Sequence, residues 1–224
     1  MHPIRTAAAA GAFALSAGAA DALTVTAAFE LTLSGNTNVP TMTLVNTGDA
    51  GFRITGFGLS AGPTNRGWDY VQSLVAPAGG TATLLAPDDA NNGARAYAIE
   101  IGFTDFDATE QASWIADLDT DTGNLTLDYR TTLFNNGSAP NAALSVAFES
   151  LVPGLSVAPF AISFDLPDGT AGQSAYVFSG LRSFELPDPT GPGGSAAVPV
   201  PAAAPLLIAA MAGLAAVARR SRRG

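Results

Sequence analysis

The chain has 224 residues and a formal charge of −9, with no cysteine, no lysine and one histidine, His2. Disulfides, thiolate nucleophiles and lysine-dependent phosphate loops are excluded, and imidazole chemistry is confined to residue 2. Between residues 23 and 197, five arginines stand against eighteen acids, a formal charge of −13 that argues against nucleic acid as a partner. Cations or neutral polar surfaces such as glycans suit that charge; so does plain solubility of an extracellular domain.

Residues 1–22 open with Met1-His2-Pro3-Ile4-Arg5, continue through a short apolar run to about Ala17, and end in small residues. A positive start, a short apolar stretch and an Ala-x-Ala site make a secretory signal peptide, with Ala20-Asp21-Ala22 as the favoured cleavage site. The run is too short to span a bilayer comfortably.

From Thr24 the pattern has period two. Val25, Ala27, Phe29, Leu31 and Leu33 alternate with Thr24, Thr26, Ala28, Glu30 and Thr32, which puts one face on a core and the other toward water. Similar runs predict strands at 41–46, 52–59, 68–75, 81–85, 96–103, 111–118, 125–134, 142–149, 160–165 and 174–186. Turn formers separate them, among them Gly35-Asn36, Thr47-Gly48-Asp49, Asn91-Asn92-Gly93, Asn135-Asn136-Gly137 and Pro167-Asp168-Gly169. Many short strands with such punctuation predict an all-β domain over 23–187, an antiparallel β-sandwich or jelly roll. A short helix near 88–94 fits the pattern as well.

Within this body, carboxylates carry the available chemistry. The densest cluster is Asp117, Asp119 and Asp121 at alternate positions, then Gly123, Asn124 and Asp128. Alternate aspartates before a glycine resemble a Ca²⁺ loop, in which a tight turn aims successive carboxylates at one cation. Here the glycine comes one residue late and the distal acid is Asp rather than Glu, so an ordinary acidic turn fits too. Residues 117–124 are expected to form a hairpin loop, with Asp117, Asp119, Asp121 and Asp128 as the candidate calcium ligands. Trp68, in the loop-like stretch Asn65-Arg66-Gly67-Trp68-Asp69, is the best-placed candidate for stacking on a sugar ring; the alternative is a core role. Paired acids for glycoside hydrolysis, such as Glu100 with Glu149 or Asp105 with Glu110, have no spacing that recommends them. No catalytic residue is assigned.

Residues 188–197 are rich in Gly and Pro without apolar period, the composition of a flexible linker. Then come Val198-Pro199-Val200-Pro201-Ala202, an apolar stretch over 202–218, and Arg219-Arg220-Ser221-Arg222-Arg223. Seventeen apolar residues make a helix of about 25 Å, at the short end of the membrane-spanning range. The arginines hold its end on the cytoplasmic side, leaving the body of an exported chain outside.

A Pro-containing motif, one apolar helix and a terminal Arg cluster in that order resemble the PEP-CTERM class of sorting signals. Residues 198–202 are similar to its VPLPA variant, with Val200 in place of Leu. The resemblance implies cleavage near the motif by an exosortase, a membrane-embedded cysteine protease, in a Gram-negative bacterium. It also implies a cell-surface or extracellular destination and a setting of exopolysaccharide and biofilm. More weakly, Phe103-Thr104-Asp105-Phe106-Asp107, Asp117-Leu118-Asp119, Leu127-Asp128-Tyr129-Arg130 and Leu133-Phe134-Asn135-Asn136-Gly137 look like a β-rich ectodomain carried by such proteins, which implies no particular activity. The expectation is a non-catalytic surface or matrix protein. Its rivals are a carbohydrate-binding module using calcium and a carboxylate-based glycan-active enzyme.

Overall fold

The computed structural model describes residues 23–35, 38–87, 95–120, 127–134, 140–168 and 173–186. The expected signal peptide, linker, sorting tail with its 202–218 segment and short helix near 88–94, together with Asp121, lie outside the described residues. One compact unit covers Leu23–Leu186. No helix among the described residues is long and apolar enough to cross a membrane.

The described strands are β1 (Thr24–Ser34), β2 (Thr41–Asn46), β3 (Phe52–Ser60), β4 (Arg66–Val75), β5 (Thr81–Ala86), β6 (Ala98–Phe106), β7 (Gln111–Thr120), β8 (Ala143–Ser150), β9 (Phe160–Asp165) and β10 (Ala175–Glu185). They form two five-stranded antiparallel sheets, ordered β10-β1-β2-β7-β4 and β5-β6-β3-β8-β9. The domain is therefore all-β, a sandwich of two sheets, as the period-two pattern predicts.

Alternation is what builds the core. In β1, Ala27, Phe29, Leu31 and Leu33 are fully buried while their neighbours reach the outer face. Facing them across the sandwich are Ile54, Phe57 and Leu59 of β3 and Leu144, Val146 and Phe148 of β8, all in one hydrophobic cluster. Rings bridge the sheets: Phe57 meets Trp114 edge-on at 4.7 Å and Phe52 stacks on Phe184 at 5.4 Å. Such aromatic pairs add about 0.5–1.5 kcal/mol each beyond the area they bury.

Asn46, the last residue of the strand predicted at 41–46, is fully buried at the end of β2. Its Nδ2 donates to the carbonyls of Phe52 at 2.9 Å and Phe106 at 3.1 Å, and its Oδ1 accepts from Gly48 N. Phe52 and Phe106 belong to the opposite sheet, so this amide satisfies strand-end carbonyls that would otherwise be buried without a donor. Leaving one of them unpaired costs about 1–3 kcal/mol.

One predicted strand takes another form in its described residues. Within 125–134 the described residues form a short helix, α1 (Tyr129–Leu133), rather than a strand. Asp128 is its N-cap, in extended backbone conformation, with its carboxylate accepting from Arg130 N at 2.9 Å. Tyr129 and Leu133, four residues apart, are both buried, which is helical spacing that also reads as a fragment of alternation.

Candidate functional site

The strand β7 does not end where the sequence suggests a loop; it runs on to Thr120. Asp117 and Asp119 are thus strand residues, two apart and on the same face, opposite to the face that buries Ala116 and Leu118. The expected hairpin loop over 117–124 is corrected to this extent.

Their partner strand supplies the third acid. In the β4–β7 ladder, Gly67 pairs with Asp119, Trp68 with Leu118 and Tyr70 with Asp117, so Asp69 is the extra residue of a β-bulge. A bulge sets two residues against one and turns both toward the partner's side chain. Asp69 therefore joins Asp117 and Asp119, and one carboxylate oxygen from each lies within 4.8 Å of the other two.

Burial and charge leave these groups poorly satisfied. Asp119 is only 8 % exposed although it stands on the outer face. Asp119 Oδ1 and Asp69 Oδ1 are buried without a hydrogen-bond partner. The buried Asn38, in the β1–β2 connection, donates from Nδ2 to Asp117 Oδ1 at 2.5 Å, and its carbonyl accepts from Leu118 N. Burial pushes the Asp69 carboxyl up to about 6, helped by the charges of Asp117 and Asp119 and by the hydrogen-bonding approach of Asp119. Burial and the Asp119 charge also raise Asp117, against the lowering effect of Asn38. Groups raised in this way favour losing charge to a proton or sharing it with a cation.

The other sequence candidates are placed elsewhere. Asp128 is engaged with Arg130, whose Nη2 lies 2.6 Å from Asp128 Oδ2, and this pairing holds the Asp128 carboxyl below its ordinary value. The structure does not bring it to the trio. Trp68 is fully buried, paired with Leu118 on the inner face, so its ring belongs to the core and is not a platform for sugar. Asp105 and Asp107 form ion pairs with Arg53 at 3.0 and 2.6 Å, and Glu110 Oε2 accepts from Asp107 N. Glu100 lies opposite Gly58 and Glu149 opposite Arg53, at well-separated levels of β3.

Sequence reasoning missed Asp69 and Asn38. Asp69 stands beside Trp68 in the sequence, but only the long-range pairing of β4 with β7 carries it to Asp117. Asn38 belongs to a connection whose side-chain direction no periodicity encodes.

An all-oxygen set of this kind, without imidazole or thiolate, suits a hard divalent cation. The fold and site together define a two-sheet β-sandwich with an acidic trio, one member buried and two half-buried, near the end of one sheet. No family model matches the chain, and no curated protein matches it. Among solved structures it is similar to a biomass-sensing module of the Rsgi2 protein of Clostridium thermocellum, described as resembling a family 3 carbohydrate-binding module of the cellulosome. The two are 15 % identical, with a TM-score of 0.28, over 58 % of this chain and 94 % of that one.

Proposed function

We propose that this chain is an exported, non-catalytic surface or matrix domain. It is delivered by its N-terminal segment and processed by an exosortase at Val198-Pro199-Val200-Pro201-Ala202, in the company of extracellular polysaccharide. The observation that carries this reading is where the two connections leave the domain. β1 and β10 pair along their whole length, Thr24 opposite Glu185, and Leu186 N donates to Leu23 O at 2.8 Å. Both exits therefore lie side by side at one end of the sheet. The acidic trio is beyond the other end of β1, at a level set by Thr41 pairing with both Ser34 and Ile115. A domain whose chain ends meet at one end of a sheet, away from its acidic trio, is suited to attachment at that end.

The test is the intact mass of the mature protein from its native host. It is expected to begin near Leu23 and to end within or just before residues 198–202. Mature protein that retains Arg219–Arg223 overturns the sorting half of the proposal.

A second reading, a calcium-dependent carbohydrate-binding module, is supported by Tyr70. Its register opposite Asp117 puts it on the same outer face as the trio, the position that Trp68 does not take. Glycan-array binding in Ca²⁺ that is lost in Tyr70→Ala would favour that reading over a purely structural surface role.

A further inference from the structure

The geometry points to a single Ca²⁺-sized divalent cation site formed by Asp69, Asp117 and Asp119, clamping the edge strand β4 to β7. This inference concerns the folded domain alone and does not rest on the route of export.

Three observations carry it. The first is convergence: one oxygen from each carboxylate within 4.8 Å of the others is a spacing that a cation with oxygens at about 2.3–2.6 Å spans without strand movement. The second is the buried, unpartnered Oδ1 of Asp119, nine-tenths removed from solvent and belonging to that cluster. A buried carboxylate oxygen without a donor is costly, and a cation is the ligand that satisfies several at once. The third is the register. Gly67 opposite Asp119 and Trp68 opposite Leu118 put Asp69 on the outer face, beside the position opposite Asp117, and so bring the third acid to the pair.

Positive side chains do not fill this role among the described salt bridges, which join Arg53 to Asp105 and Asp107 and Arg130 to Asp128. Asn38 already donates to Asp117, which holds that carboxylate in place. The position matters for the fold. β4 is the last strand of its sheet, with only the Trp68–Ala96 bridge described on its outer side, and a cation between β4 and β7 adds a link there.

The experiment uses the full chain in detergent, stripped with chelator and then titrated with Ca²⁺, with Tb³⁺ as a luminescent substitute. Trp68, one residue from Asp69, is the expected antenna for sensitised Tb³⁺ emission. One equivalent is expected to bind, and Ca²⁺ at about ten times its dissociation constant should raise the melting temperature by about 2–5 °C. Asp69→Asn should weaken binding at least about tenfold and abolish the shift. In chelator it should melt at or above wild type, because a repulsive charge is gone; that comparison separates a lost site from a lost fold. Asp128→Asn should bind as wild type does. The proposal is overturned if wild type binds no cation at millimolar concentration. It is equally overturned if Asp69→Asn binds like wild type, or if binding is lost in Asp128→Asn or Asp121→Asn while Asp69→Asn retains it.

Discussion

At the scale of single residues, two aspartates of one sequence cluster have opposite fates, and their neighbours decide which. Asp128 has an arginine two residues on and a helix to cap, so its charged form is favoured; Asp117 is partly buried and has Asp119 two residues on along a strand, so its charged form is opposed. The Asp128 carboxyl is lowered chiefly by its hydrogen bond with Arg130 and also by the backbone N–H it caps. A group whose folded pKa is depressed contributes stability above its unfolded value, and that contribution fades as the pH falls through the folded one. Asp128→Ala should therefore destabilise the domain by about 1 kcal/mol at pH 7, the ordinary worth of an N-cap. The gap to wild type should remain full down to about pH 5 and narrow below the ordinary carboxylate value near 4. Urea melts of both proteins at pH 7, 5 and 3 check this; a gap that does not change with pH would mean that the charge of Asp128 contributes nothing.

At the scale of elements, strand positions were readable because alternation is a local property. Thr24–Ser34 needs only its own residues to declare an inner and an outer face. The pattern misleads where one residue is inserted. Strict alternation puts Trp68 and Tyr70 on the same face, whereas the bulge at Asp69 sends Trp68 inward with Leu118 and Tyr70 outward with Asp117. Two of the three acids of the site were legible as an i, i+2 pair, but the third depends on which strand lies beside β7, and that is a tertiary fact. The same limit explains α1, whose Leu127, Tyr129 and Leu133 mimic alternation until the capping side chain of Asp128 is seen. The bulged strand also has a steric requirement. A Cβ on Gly67 would come within 2.6 Å of Arg95 Cγ and 2.8 Å of the Ala96 carbonyl oxygen. Ala96 exchanges both backbone hydrogen bonds with Trp68, so it cannot retreat without breaking them. Gly67→Ala should cost about 1–3 kcal/mol and, because Gly67 pairs with Asp119, should also weaken Ca²⁺ binding. Calorimetry and the Tb³⁺ titration on that variant test both parts; wild-type stability would show that the 95–96 segment moves freely.

At the scale of the whole molecule, the first and last strands are neighbours, and that fact governs what can be cut away. β10 pairs with β1 through every residue from Ala175 to Glu185 and contributes buried Tyr176 and Phe178 to the core. Its Gly180 lets the strand approach Phe29 and Ile162, where a Cβ would stand within 2.8 Å of both side chains. The sandwich therefore closes only when residues near 185 have been added, a non-local pairing of the kind that slows folding. Everything after Leu186 lies outside the compact unit, whereas everything from Ala175 is part of it. A chain ending at residue 190 should melt within about 1 °C of the full chain in the same detergent. A chain ending at residue 173 should lose β10 and expose the long edge of β1 together with the rings of Phe29, which lies beside Gly180, and Phe134, which meets Phe178. An unpaired edge of that length is a template for association, so the shorter product should be insoluble or oligomeric. Size-exclusion chromatography and thermal melts of the two truncations decide the matter. A soluble monomer ending at 173 with a wild-type melt would mean that β10 only decorates the sheet, and that the domain is complete before its C-terminal strand arrives.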